Sequence, residues 1–127
     1  MMFLNDPVQY IVNSDIDSKG NLISNEVSNT KPVMMMVQAG FCGHCTNAKP
    51  AFQEFAEKNK DKVACVTIQA DGNEPDEKEL GKRLNDFLPE FRGFPDYRVY
   101  HKGKLIHNHK GGRSVQDLEN CIKSLSL

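Results

Sequence analysis

The sequence predicts an α/β fold, a mixed β-sheet with helices on both faces, arranged as a βαβα-ββα core after an N-terminal extension. Three observations carry this. Val33 to Val37 is a continuous apolar run bounded by Pro32 and Gly40, as expected of a central strand covered on both faces. Segments of helical periodicity then alternate with strand-like runs as far as Pro89. Beyond Phe94-Pro95, two short runs flank Lys102-Gly103 and read as an antiparallel hairpin. A chain of 127 residues, 39% of them hydrophobic, buries one core of ordinary size and has too little sequence for two. The expected organisation is a single domain over 1–127, with a variable N-terminal segment at 1–31 and a core at 32–126.

Residues 1–31 are rich in Asn, Ser and Asp, and Lys19-Gly20-Asn21 is the expected turn between apolar pieces at Val8 to Val12 and Leu22 to Ile23. One or two loosely specified strands are expected there. After the central strand, Ala48, Phe52, Phe55 and Ala56 recur at helical spacing, with charge between them at Lys49, Glu54, Glu57 and Lys58, which predicts an amphipathic helix. Val63 to Ile68 reads as a second buried strand. Asp76 to Leu88 reads as one helix, with Leu80, Leu84, Phe87 and Leu88 on its apolar face and Pro89 ending it. Tyr97 to His101 and Lys104 to His109 form the hairpin. A final helix starts at Ser114, a good N-cap with Asp117 three residues on, and buries Val115, Leu118, Ile122 and Leu125.

Composition narrows the function more by exclusion than by suggestion. Net charge is −1 with both signs scattered, so nucleic acid and anionic lipid are not expected partners. No run approaches about 18 apolar residues, so no membrane span is expected. Met1 to Asn13 lacks a basic start, and its apolar pieces are broken by Asn5, Asp6, Pro7 and Gln9, so it does not read as a signal peptide. The tail Ser124-Leu125-Ser126-Leu127 is not a retention signal of the endoplasmic reticulum. A cytoplasmic location, or a virion or other disulfide-forming compartment, is expected over the secretory route.

The chemistry concentrates at Cys42 and Cys45, two residues apart where the central strand gives way to a helix. That position sets Cys42 against the unpaired N–H groups and positive dipole end of the helix, which favour a thiolate, so Cys42 is the expected nucleophile. Cys45, one turn in, is placed to attack a mixed disulfide at Cys42 and release reduced substrate. Gly43 keeps the turn compact, and His44, when protonated, adds positive charge beside the thiolate and makes the disulfide more oxidising. A Cys-x-x-Cys pair is also half of a zinc site, which needs two more ligands. Cys65 and Cys121 stand alone, and His107 and His109 share one face of the hairpin with no second close pair, so the redox reading is the stronger and no metal or other cofactor is expected. Cys65 and Cys121 are read as small hydrophobes and Met34-Met35-Met36 as core packing rather than a copper site.

Phe41-Cys42-Gly43-His44-Cys45, Pro50 inside the helix, Gly93-Phe94-Pro95 and Gly111-Gly112-Arg113 occur in an order and spacing that resembles the thioredoxin superfamily from about Val33 to Leu125. The Cys-Gly-His-Cys segment is similar to the protein disulfide isomerase branch. The resemblance implies that Pro95 is the cis-proline lying against the Cys-x-x-Cys loop, and that Phe41, Phe94, Pro95 and Asp96 line the substrate site. It implies that Pro50 kinks the active-site helix and that Gly111 and Gly112 let the backbone approach the active-site loop. It also implies that Arg113 swings toward the buried cysteine and lowers its pKa. Two departures stand out. Met36 occupies the position of the family's buried acid, and Thr67 that of its lysine companion, which leaves deprotonation of Cys45 to water or Arg113. Asp96 stands where a Thr is usual, and its carboxylate would oppose a thiolate and disfavour acidic substrates.

The resulting expectation is a monomeric thiol/disulfide oxidoreductase acting on protein thiols and disulfides in extended segments, of isomerase or oxidase type. A cytosolic protein-disulfide reductase is one alternative, because an oxidising dithiol in a reducing compartment stands mostly reduced. A thioredoxin-like interaction or redox-sensor module with slow turnover is the other.

Overall fold

Why the sheet forms where it does follows from the central run. Every residue of the strand Val33–Gln38 is buried, so side chains on both faces of the pleat need cover. The computed structural model, which describes residues 3–24 and 31–127, supplies it. The described residues contain five strands, β1 (Gln9–Tyr10), β2 (Val33–Gln38), β3 (Ala64–Gln69), β4 (Asp96–His101) and β5 (Lys104–His109), in the order β1-β3-β2-β4-β5. β1 and β2 run parallel to β3, whereas β4 runs antiparallel to both β2 and β5. Four helices, α1 (Gly43–Lys58), α2 (Pro75–Lys82), α3 (Leu84–Phe87) and α4 (Val115–Ser124), complete the expected mixed sheet with helices on both faces.

The methionine run divides as the pleat requires. Met34 and Met36 join Phe52, Phe55, Val99 and Leu118 in the core under α1 and α4. Met35 joins Val66, Ile68, Leu80, Leu84 and Phe87 in the core under α2 and α3. Ile11, Ile16 and Leu22 from the N-terminal segment are buried in this second core, and Leu4 and Val8 in the first. Gln53 ties that segment to α1, donating to the carbonyls of Asn5 and Asp6 and accepting from the Asn5 N–H. The expected turn at Lys19-Gly20-Asn21 is held by Asp17, whose carboxylate accepts from the N–H groups of Lys19 and Asn21, and Gly20 takes φ +83°. The Asn-, Ser- and Asp-rich reading of 1–31 also covers residues 1, 2 and 25–30, which lie outside the described residues.

One helix was expected over Asp76 to Leu88, and the structure breaks it at Arg83 into α2 and α3. The cause is tertiary. The Arg83 guanidinium donates to Asn13 Oδ1 at 2.6 Å, Asp17 O at 2.6 Å and Ile16 O at 3.2 Å, and lies 5.7 Å from the Phe87 ring centroid. Charge-assisted bonds to backbone carbonyls outweigh the one or two helical rungs forgone. The hairpin turns at Lys102 (φ +52°) and Gly103 (φ +80°), the positive pair a two-residue connection demands. Its register shifts between Val99 and Tyr100: Val99 faces His107, but Tyr100 faces Leu105, leaving Ile106 as the extra residue of a β-bulge. α4 is capped as expected, with Ser114 Oγ accepting from the Asp117 N–H at 3.0 Å and Asp117 Oδ2 accepting from the Ser114 N–H at 3.2 Å. No helix among the described residues is long and apolar enough to cross a membrane.

Candidate active site

β2 ends at Gln38 and the chain passes through a short loop to Cys42. Asp71, just past β3, fixes that loop: both of its carboxylate oxygens accept from the Gly40 N–H, at 2.9 and 3.0 Å. Burial works against the Asp71 anion, but the hydrogen bonds from Gly40 and Gln69 outweigh it and hold the carboxyl below its usual range. Cys42 then serves as the N-cap of α1 with extended backbone, and its Sγ accepts the Cys45 N–H at 3.1 Å. The sulfur thus takes the place of a Ser or Asp oxygen at a helix start, where the orphan N–H groups stabilise negative charge. Cys42 is half-buried and its Sγ lies 3.6 Å from the Phe94 carbonyl, so the helix start and the Phe94-Pro95 turn meet at this atom.

Cys45 lies buried one turn further in. Burial pushes its thiol up to about 12, the neighbouring Cys42 sulfur adds to the rise, and the Ala39 backbone and Lys49 partly offset it. Lys49 corrects the sequence reading. It was grouped with the charged face of α1, yet it is 1% exposed and is the cation acting on Cys45. Its four-residue offset from Cys45 puts both on one helical face, a signal the sequence did carry. Arg113, expected to lower the Cys45 pKa, is exposed at the edge of the groove; burial pushes the Tyr97 phenol up, and the Arg113 charge partly offsets that rise. Tyr97, also missed, is buried beside Cys45 with its ring 6.1 Å from Phe52, and its hydroxyl has no hydrogen-bond partner among the described residues. Met36 and Thr67 pair across β2 and β3, Thr67 Oγ1 donating to the Met36 carbonyl at 2.7 Å, so neither supplies a charge to this space.

A prediction follows for Lys49→Met. Removing a cation disfavours the adjacent thiolate, so the Cys45 pKa rises further. Cleavage of a mixed disulfide at Cys42 should then slow by up to about tenfold near neutral pH, the equivalent of one pKa unit, and its rate profile should move to higher pH. Rapid-quench measurement of that step across pH tests this, and an unchanged profile would remove Lys49 from the site.

The rim is apolar. Phe41 is 76% exposed and meets Phe94 edge-on at 5.8 Å, and Phe94 meets Phe91 at 5.4 Å. The Phe94-Pro95 bond is cis, as the family resemblance implied; Asp6-Pro7 is a second cis bond that was not anticipated. An open groove runs from Arg92 through Phe94 and Pro95 to His109 and Arg113. Gly43 and His44 are exposed at the helix start, and a Cβ built on Gly43 would meet open space, so the fold itself does not require glycine there. Pro50 sits inside α1 as implied, withholding the N–H that the Thr46 carbonyl would accept.

Two expectations fail at this rim. Asp96 lines the groove, but its carboxylate is not a free charge there, because it forms a two-pronged ion pair with Arg98, Nε to Oδ1 at 2.6 Å and Nη2 to Oδ2 at 3.1 Å. Gly111 and Gly112 do not make room for the active-site loop. A Cβ on Gly111 would meet the His109 ring at 3.0 Å, and one on Gly112 would collide with the Asp117 carboxylate, so these glycines accommodate β5 and the cap of α4.

Comparison with known proteins gives the family and agrees with the fold. A family model described as Thioredoxin matches residues 16–124. The chain is 43% identical, over 94% of its own length and 95% of the relative's, to a protein of Invertebrate iridescent virus 6 named as thioredoxin-like, 453L. It is 35% identical over 72% of its length to the protein disulfide-isomerase erp38 of Neurospora crassa, and 32% identical over 76% to a probable protein disulfide-isomerase, ER-60, of Schistosoma mansoni. It spans only 24% and 18% of those two chains. Among solved structures, human ERp44 in a zinc-bound form superposes with a TM-score of 0.70 at 16% identity, over 94% of this chain and 31% of that one.

Proposed function

The chain belongs to the thioredoxin family, and from that premise we propose that it is a thiol/disulfide oxidoreductase of isomerase or oxidase type, acting on protein substrates held extended along Phe94-Pro95. The observation that carries this reading is the sulfur arrangement: a half-buried Cys42 Sγ accepting the Cys45 N–H at 3.1 Å, with a buried Cys45 behind it. In the reductive direction the Cys42 thiolate attacks a substrate disulfide, forming a mixed disulfide and expelling one substrate thiolate, which takes a proton. Cys45 then gives up its proton and attacks the Cys42 sulfur, expelling the second substrate thiolate. The substrate gains two electrons and two protons, and Cys42 and Cys45 become a disulfide. The reverse sequence oxidises a substrate dithiol, and the first step followed by return of the substrate's own thiol isomerises it.

The isomerase or oxidase assignment draws on His44 between the cysteines and on the relatives named as disulfide isomerases. Its test is the reduction potential of the Cys42/Cys45 pair in glutathione buffers of known ratio, read by alkylation and peptide mass so that Cys65 and Cys121 are not counted. A value near the isomerase reference of about −180 mV is expected; one near the thioredoxin reference of about −270 mV would make the protein a reductase, and no reversible couple would end the enzyme reading. A second reading, a redox-sensing interaction module with slow turnover, is favoured by one observation, the Cys45 thiol pushed up to about 12. Replacing both cysteines by Ser separates the two, since a binding module keeps its partner while an enzyme loses turnover.

A further inference from the structure

Outside the redox pair, one cluster of ligating side chains among the described residues lacks a role. His107 and His109 on β5 and Cys121 on α4 each present one ligand atom, a ring nitrogen or Sγ, within 4.8 Å of the others. We propose that these three residues form a zinc site, with water in the fourth position. Residue type, aim and preorganisation all support it.

The ligand set is two imidazoles and a thiol, which suits borderline-soft Zn(II) and not Mg(II) or Ca(II). The aim comes from the β-bulge at Ile106. In a regular strand Leu105, His107 and His109 would share a face. The extra residue lets Leu105 pair with Tyr100 and pack into the core under α2 and α3, while His107 and His109 face Val99 and Tyr97 on the side covered by α4. Cys121 is buried on that side. The preorganisation is at His109, whose Nε2 lies 2.7 Å from the Gly112 carbonyl. A carbonyl only accepts, so Nε2 carries the proton and Nδ1 holds the lone pair, the second-shell arrangement that fixes a metal-binding tautomer. The Tyr97 ring, edge-on at 6.0 Å, holds the imidazole plane.

Tetrahedral zinc with Zn–N near 2.0–2.1 Å and Zn–S near 2.3 Å sets ligand atoms about 3.3–3.6 Å apart, so the cluster closes by at most about 1.5 Å on binding, within side-chain rotation. Cys121 releases its thiol proton to solvent as the Zn–S bond forms. Half-buried His107 and His109 leave water access to the open position. The ion would join β5 to α4, and it adjoins the substrate groove through His109.

The test uses the full chain with Cys42→Ser/Cys45→Ser, which removes the competing thiol pair, and Co(II) as the spectroscopic probe for Zn(II). One equivalent of tightly held cobalt with a thiolate charge-transfer band and tetrahedral ligand-field absorption is expected. Cys121→Ser should abolish the charge-transfer band, and His107→Gln and His109→Gln should each weaken affinity by at least about tenfold. Zinc at one hundred times its dissociation constant should shift the folding equilibrium about a hundredfold in the parent and not in the variants. The two histidine variants sit on a half-exposed strand and carry the test even when Cys121→Ser folds poorly. Absence of bound metal after dialysis against excess Zn(II), or binding that all three variants leave unchanged, would overturn the site.

Discussion

Cys42→Ser should reduce catalysed disulfide exchange to the rate of the small-molecule thiol alone, whereas Cys45→Ser should keep the first attack and accumulate a mixed disulfide. The asymmetry follows from where each sulfur sits. Cys42 caps α1 and is half-buried at the groove, so it alone reaches a substrate sulfur and receives the helix N–H groups. Cys45 is buried and its thiol is pushed up to about 12, so it acts only on a sulfur already delivered to Cys42. Loss of the nucleophile should lower turnover by about three orders of magnitude or more. Insulin reduction measures the loss, and a non-reducing gel with a model disulfide protein reveals the trapped complex. Trapping by Cys42→Ser instead would reverse the assignment. The pH behaviour is a further check: a step that needs the Cys45 thiolate accelerates about tenfold per pH unit across the neutral range, since that range lies far below its pKa.

Much of this could be read from residues because local signals agreed with the tertiary outcome. The all-buried β2, the Lys102-Gly103 turn and the Ser114/Asp117 cap each rest on neighbours in sequence. The cysteine pair at a strand-to-helix turn was legible for the same reason. What escaped depends on partners distant in the chain, or on a charge in an unexpected environment. The break at Arg83 exists because carbonyls some 66–70 residues earlier capture its guanidinium. Lys49 reads as a solvated cation because an amphipathic pattern assigns charge to the outside, and nothing in that pattern says that a thiol needs a counter-charge. The β-bulge that turns His107 and His109 toward Cys121 is invisible to a count by twos along β5. The free charge expected of Asp96 is absent because its partner, Arg98, lies two residues further along the strand, a pairing that its place beside Pro95 does not announce.

That pair leads to the largest stability effect expected from a single substitution at the site. Arg98 is 1% exposed and Asp96 11%, and the guanidinium also donates to the Pro89 carbonyl at 2.8 Å. The ion pair therefore ties the strand after cis-Pro95 to the segment that follows α3. Asp96→Ala leaves a buried cation without its counter-charge and should destabilise the reduced protein by about 3–5 kcal/mol, the range for breaking a buried pair from one side. With urea slopes of about 1–3 kcal/mol per molar, the denaturation midpoint should fall by roughly 1–5 M. Asp96→Ala/Arg98→Met should recover most of that loss, because an apolar side chain of similar length removes the stranded charge. Neutralised in this way, Asp96 does not repel acidic substrates, so reaction rates with acidic and basic peptides around the target disulfide should differ little at moderate salt. If Asp96→Ala destabilises by less than a surface substitution does, about 0.5 kcal/mol, the pair is not buried in solution. The carboxylate would then act in the groove as a free charge that selects substrates.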